Sequence, residues 1–359
     1  MNASVVSGSL WMLWLYDVCE EIDLAELRKI LDVPERREPG FRQLSPEYVR
    51  FERPPVVQEI EPIILENGTR LCGTLNYYEY GVTSIKLEIP FVANWPQLPE
   101  LSSGWMANSE PAARALEAVR RCLGKVRPAL IKPNEEWLTE DYCIVHVREP
   151  VLTGSELITE HGSEIARMVR GEEAELSTSE VEEILGTRLS YYPDDLLVVG
   201  WSAAFIHDTA EDAAPTIRLL EYANTQLLEF RHYDAVLSRL LQDVYRSLDR
   251  RGSFLGRWRM ASKAEQLNKI RLDIRELTER VDTAIKFLSD MFSARLYRLA
   301  AAKVGVEDYR TLVDAKLHTA GDLYEFMMDQ FHHSRGFLLE VLVVIILVIE
   351  LVFLFRGKS

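Results

Sequence analysis

Apolar and polar positions alternate along this chain with two different periods, and the change from one to the other divides it. Up to about Ala204, short runs of period two, the pattern of half-buried strands, are interleaved with amphipathic helical stretches. Strands are predicted at Leu10 to Val18, Val56 to Ile64, Thr69 to Tyr78, Val82 to Ile89, Tyr142 to Val147 and Leu196 to Ile206. Asn67-Gly68 and Tyr80-Gly81 suit the tight turns between three of them. Helices are predicted at Asp23 to Leu31, with Asp23 as the cap, and at Glu110 to Cys122, Ser155 to Arg170 and Ser179 to Leu185. The Pro-rich stretches 34–55 and 90–99 are predicted as loops. An α+β domain over residues 1–207 follows.

Beyond Asp208 the period becomes helical and stays so. Leu267, Ile270, Ile274, Leu277, Val281, Ala284, Leu288 and Met291 alternate three and four apart, which is a coiled-coil pattern. Similar stripes precede it (Phe230, Tyr233, Leu237, Leu240, Val244) and follow it (Val313, Leu317, Ala320, Tyr324, Met327, Phe331). Gly305 is predicted as the tight turn between the second and third helices, because glycine is favoured at helix C-termini. Residues 208–335 therefore read as a long-helix stalk with an antiparallel hairpin. The stripes suit an intramolecular core and also a homo-oligomer.

From Phe337 to Phe355 the polar positions disappear except for Glu340 and Glu350. These residues would make roughly 28 Å of helix, near the thickness of a bilayer's hydrocarbon core. A transmembrane helix is predicted at 336–355, with a short tail at 356–359. A span this late in the chain leaves the N-terminal domain in the cytoplasm, and a start without an Arg-rich transit pattern favours a bacterial inner membrane over an organelle.

The composition narrows the partners. A net charge of -15 opposes nucleic acid as a direct partner, since phosphate backbones require clustered Lys and Arg. The four cysteines are widely spaced, which argues against a disulfide scaffold or a zinc site. No phosphate-cradling glycine loop, zinc-protease helix or hydrolase elbow occurs, and no cofactor is expected. Cys143 and His146 stand three apart on a predicted strand and so face opposite sides. His332, His333 and Asp329 form a polar cluster ahead of the apolar run. His207, Asp208 and Glu211 read as the polar start of the first long helix.

Candidate sites then follow from the expected membrane geometry. Counting back from Gly305 across the hairpin carries Arg250, Arg251, Arg257, Trp258 and Arg259 past the start of the bilayer, a basic and aromatic mixture suited to lipid headgroups. Glu340 and Glu350 would be intramembrane carboxylates, roughly 15 Å apart along the helix. Their pattern, Leu339-Glu340, the nine aliphatic residues Val341 to Ile349, then Glu350-Leu351, resembles the terminal span of the "required for meiotic nuclear division" family of single-pass membrane proteins. That resemblance implies an inner-membrane protein without an assigned reaction, whose mitochondrial members support organellar translation. The expected function is a membrane-anchored, oligomeric scaffold or tether without catalytic activity, with the bilayer, further copies of the chain and a protein as partners. Two alternatives are an oligomeric ion-conducting assembly lined by Glu350, and a membrane-bound ligand sensor or enzyme in the α+β domain.

Overall fold

The computed structural model describes residues 5–33, 54–148, 152–249 and 291–323, with isolated helical positions at 269, 270, 272, 274, 275, 325, 343, 344, 346 and 347. The chain divides into two compact units, Met1–His232 with Thr278–Arg310, and Tyr233–Leu277 with Thr311–Ser359.

The first unit is built on a mixed sheet. Its N-terminal part contains β1 (Val5–Asp17), β2 (Cys19–Ile22), α1 (Leu24–Leu31), β3 (Val56–Glu59), β4 (Ile63–Ile64), β5 (Arg70–Tyr77) and β6 (Val82–Asn94). There follow α2 (Leu98–Ala107), α3 (Ser109–Lys125), β7 (Leu130–Pro133), β8 (Thr139–Val147), α4 (Gly154–Arg170) and α5 (Thr178–Leu185). Next come β9 (Arg188–Leu189), β10 (Leu196–Val199), β11 (Ala203–His207), α6 (Ala210–Asp249) and α7 (Met291–Val304). The strand order is β3-β5-β6-β1-β8-β11-β10-β9, with β4 added on β5, and β2 pairs with β7 separately. β8 and β11 run parallel, and the other pairs are antiparallel.

The alternation of β1 determines what covers each face. Leu10, Met12, Trp14 and Tyr16 join the main apolar core with helices α2 to α5. The opposite face is covered by α6, which is buried without interruption from Leu219 to Phe230. That stretch includes Glu221, Asn224, Thr225, Gln226 and Glu229, each at most 4% exposed. Buried polar groups of this kind are tolerated only with partners. Glu221 accepts from Asn76 Nδ2 at 2.6 Å and pairs with Lys86 Nζ at 3.1 Å. Thr225 bonds to the Tyr80 hydroxyl, Arg231 pairs with Glu140, and His232 pairs with Asp17.

Local signals act as the sequence predicts at several joints. Asp23 caps α1, accepting from the Ala25 and Glu26 N–H groups at 3.0 Å each. Gly81 has φ +90°, and a Cβ there would lie 1.8 Å from the Cys19 carbonyl oxygen, so only glycine fits. Gly305, at φ +92°, ends α7 where the turn is predicted, and residues 306–323 are helical. In the second unit Lys316 Nζ donates to Asp234 at 2.5 Å and to Ser238 Oγ at 2.7 Å, and Leu237, Leu240, Val313 and Ala320 of the predicted stripes are buried.

Several expectations are corrected. Leu196 to Ile206 is an antiparallel hairpin, β10 and β11, folded at Gly200. The predicted loop at 90–99 contains the end of β6 and the start of α2. Pro90 is accommodated because β5 pairs with β6 only as far as Glu88, so a missing N–H at position 90 costs no bond to that strand.

The largest correction concerns the membrane. Among the described residues no helix is long and apolar enough to cross a membrane. The expected transmembrane helix at 336–355, the single-pass localisation in a bacterial inner membrane and the description as a membrane protein are therefore not supported. A sufficient length of apolar sequence is necessary for a span and does not establish one. This run also carries two carboxylates, each costing roughly 2.5 to 3.5 kcal/mol near a bilayer centre. Of the run, Val343, Val344, Ile346 and Leu347 are described, as half-exposed helical positions. Glu340 and Glu350 lie outside the described residues, as do Arg250, Arg251, Arg257, Trp258, Arg259 and the cluster Asp329, His332 and His333. So does the heptad segment 264–291, apart from Met291 and the isolated positions named above.

Candidate functional site

The first unit contains a cavity of about 350 Å³ beside the β10–β11 hairpin. Four parts of the chain enclose it: the loop before β10 (Tyr191, Tyr192, Asp195), the end of β11 (Ile206, His207, Asp208), the first turns of α6 (Asp212, Pro215, Thr216, Leu219) and the start of α7 (Phe292, Ser293, Leu296).

Each wall has a local reason for its shape. The Asp195 carboxylate accepts the Tyr191 N–H at 2.8 and 3.0 Å and the Tyr192 N–H at 2.9 Å, which closes the loop and holds two adjacent tyrosines in place. The Tyr191 ring meets Tyr192 edge-on at 4.7 Å and Phe292 at 5.0 Å. Thr209 caps α6 by accepting the Asp212 N–H at 3.2 Å and donating its hydroxyl to Asp212 at 2.7 Å. Asp208 accepts the Thr209 N–H at 2.7 Å.

Two histidines stand on adjacent strands at this end of the sheet. His146 Nε2 lies 3.1 Å from the Asp208 carbonyl, and His207 Nε2 lies 3.3 Å from the Leu152 carbonyl. A carbonyl can only accept, so both imidazoles carry their proton on Nε2 and present a lone pair at Nδ1. Burial lowers both pKa values, which keeps the rings neutral. Both Nδ1 atoms are buried without a hydrogen-bond partner, and His207, 3% exposed, lines the cavity.

The acidic groups behave as a crowded set. Burial raises Asp195 above the usual carboxylate range. Asp208 is pushed up to about 6, chiefly by burial and further by Asp212, Asp195 and Asp194, while the Thr209 N–H opposes the change. The sign follows directly. The folded form binds a proton more tightly than the unfolded chain, so ionisation of Asp208 weakens the fold as pH rises from about 4 through 6. Asp208→Asn is expected to raise unfolding free energy by about 1 to 2 kcal/mol above pH 6.5, a figure reduced for solvent screening, and by nothing near pH 3.5. Urea titrations at the two pH values measure this; an equal gain at both would show that the ionised carboxyl is not the cause.

A second cavity, of about 440 Å³, is lined by Met12, Trp14, Tyr16, Met106, Leu116 and Glu140, among others. Burial raises the pKa of Glu140, and its partner Arg231 opposes this. None of the unpartnered buried polar atoms among the described residues belongs to that lining. The first cavity is therefore the stronger candidate.

Residues 7–213 match the family model described as "Uncharacterized protein MJ0711, N-terminal domain". The chain belongs to this family. It is also similar to "Uncharacterized protein MJ0711" of Methanocaldococcus jannaschii, with 22% identity over 211 residues, which cover 59% of this chain and 63% of that protein. The chain thus spans less than two thirds of the length of that relative. The match corrects the resemblance to the "required for meiotic nuclear division" family: the shared residues lie in the α+β region, and the likeness of a short two-glutamate pattern in the terminal run does not indicate descent. The MJ0711 N-terminal domain supplies the cavity's walls as far as Asp212, whereas Pro215, Thr216, Leu219 and the α7 residues lie beyond the matched segment.

The sequence reading singled out His207 and Asp208, but placed both at the start of a helix. The structure puts His207 at the end of β11 and Asp208 in the joint before α6. Cys143 and His146 are both buried on β8, at positions that face opposite sides of the sheet. The run Tyr191-Tyr192-Pro193-Asp194-Asp195 was the overlooked signal. Aromatic and acidic residues beside a proline mark a formed loop with chemistry on it.

Proposed function

We propose that the first unit is a small-molecule-binding domain, which keeps the ligand-sensor alternative of the sequence reading and drops its membrane attachment. The observation that carries this is the cavity itself, around which the loop held by Asp195, the first turns of α6 and the start of α7 bring aromatic rings and the carboxylates of Asp195, Asp208 and Asp212, with the buried His207 at its edge. The volume sits at the lower end of the roughly 300 to 1,000 Å³ typical of ligand sites, which suits a compact molecule. Apolar and aromatic walls with a few convergent polar groups are the usual composition of such sites.

The test is a thermal-shift screen of small metabolites on the full chain. A true ligand at a hundred times its Kd is expected to stabilise the protein by about 2.7 kcal/mol. Thr216→Trp, which fills the cavity from α6, should abolish the shift. A screen without any stabilising compound, or one in which Thr216→Trp responds like the wild type, would retire the proposal.

A further inference from the structure

The chemistry of the cavity lining narrows the ligand class. Among the described residues that line it there is no lysine or arginine, whereas Asp195, Asp208 and Asp212 all do. A phosphate, carboxylate or nucleotide entering this space would meet carboxylates and find no compensating cation. A hard metal ion fits no better, because no group of three or more His, Cys, Asp or Glu side chains among the described residues converges to hold one. Among charged ligands, what remains is a cation too large and too hydrocarbon-rich to need a tight oxygen shell.

Two further observations point the same way. Tyr191, Tyr192 and Phe292 form one wall, and aromatic faces attract ammonium groups through their quadrupole. The ionised carboxylates of Asp195, Asp208 and Asp212 can only accept, so an N–H donor suits the site. A protonated amine is both a donor and a cation, and its carbon skeleton would lie against the apolar part of the lining. We infer that the cavity binds a small organic ammonium ion, its N–H groups directed to Asp208 or Asp212, and its carbon skeleton against Tyr191, Tyr192 and Phe292. This rests on the ligand-binding reading above. A bound cation would also relieve the crowding that raises Asp208.

The experiment uses the full chain and a matched panel of compact probes: putrescine, agmatine and phenethylamine as cations, 1,4-butanediol and 2-phenylethanol as neutral counterparts, and succinate and phenylacetate as anions. Binding is followed by calorimetry at 150 mM salt, because a chain of net charge -15 attracts cations non-specifically at low salt. The expected result is at least tenfold tighter binding of one cation than of its neutral counterpart, weakened at least tenfold by Asp208→Asn with Asp212→Asn and abolished by Thr216→Trp. Neutral or anionic probes binding more tightly, and lost in Thr216→Trp, would overturn the ammonium assignment and leave the ligand-binding reading standing. Cation binding unchanged in the double variant would overturn it as surface association. If no probe of any charge binds at millimolar concentration, and the thermal-shift screen is also empty, both inferences fall together.

Discussion

Replacing Lys86 by methionine is expected to lower unfolding free energy by about 3 to 5 kcal/mol, because it leaves a charged carboxylate without its cation in the interior. Glu221 is 1% exposed, and Lys86 Nζ lies 3.1 Å from its Oε2. The remaining partners, Asn76 Nδ2 at 2.6 Å and the Tyr78 hydroxyl, supply hydrogen bonds and no charge. Lys86 also sits 5.9 Å from the Trp11 ring centroid, a contact that methionine keeps only as apolar packing. The pair itself contributes little net stability, since the desolvation of two charges offsets most of their attraction. Glu221→Leu combined with Lys86→Met should therefore recover most of the loss, and a double-mutant cycle in urea should give a coupling of about 2 to 3 kcal/mol. Additive effects of the two substitutions would show that the pair is not what makes Lys86 costly to remove. The pair joins β6 to α6, so the same cycle measures how firmly the helix that lines the cavity is held against the sheet.

The structure separates what is local from what is assembled. Asp23, Gly81 and Gly305 were legible because a cap or a left-handed turn is determined by a residue and its near neighbours. The long alternation of β1 was legible for the same reason. The hairpin at Gly200 was not, because Leu196 to Ile206 is interrupted only by Gly200 and Ser202 and both of its strands are buried, so no charged residue marks the reversal. Trp201, at the tip and 59% exposed, misleads any reading that equates apolar with internal. Nothing in the sequence marks Glu221 as buried, and only its partners Asn76 and Lys86 on the sheet show that it is. The cavity draws on Asp195 and on Phe292, nearly a hundred residues further along the chain, and no period in a sequence reports such a meeting.

Asp195→Ala is expected to cost about 2 to 3 kcal/mol and to remove ligand binding along with it. The carboxylate accepts two backbone N–H groups, those of Tyr191 and Tyr192, and bonds to a charged acceptor contribute roughly 1.5 to 3 kcal/mol each. Partial burial of the carboxylate, which raises its pKa, offsets part of that gain, so the net figure lies below the sum. Alanine leaves both amides without their acceptor and frees the loop that presents the tyrosines. Asp195→Asn keeps one acceptor oxygen in place and should lose about half as much. Tyr191→Ala provides the contrast: it removes a ring that is 49% exposed and its edge contact with Phe292, costs about 1 kcal/mol, and leaves the loop closed. Urea denaturation ranks the three variants, and amide exchange at Tyr191 and Tyr192 identifies the cause. If Asp195→Ala is no less stable than Tyr191→Ala and those amides remain protected, the loop is held by packing on its neighbours. The carboxylate would then be left to act on the ligand alone.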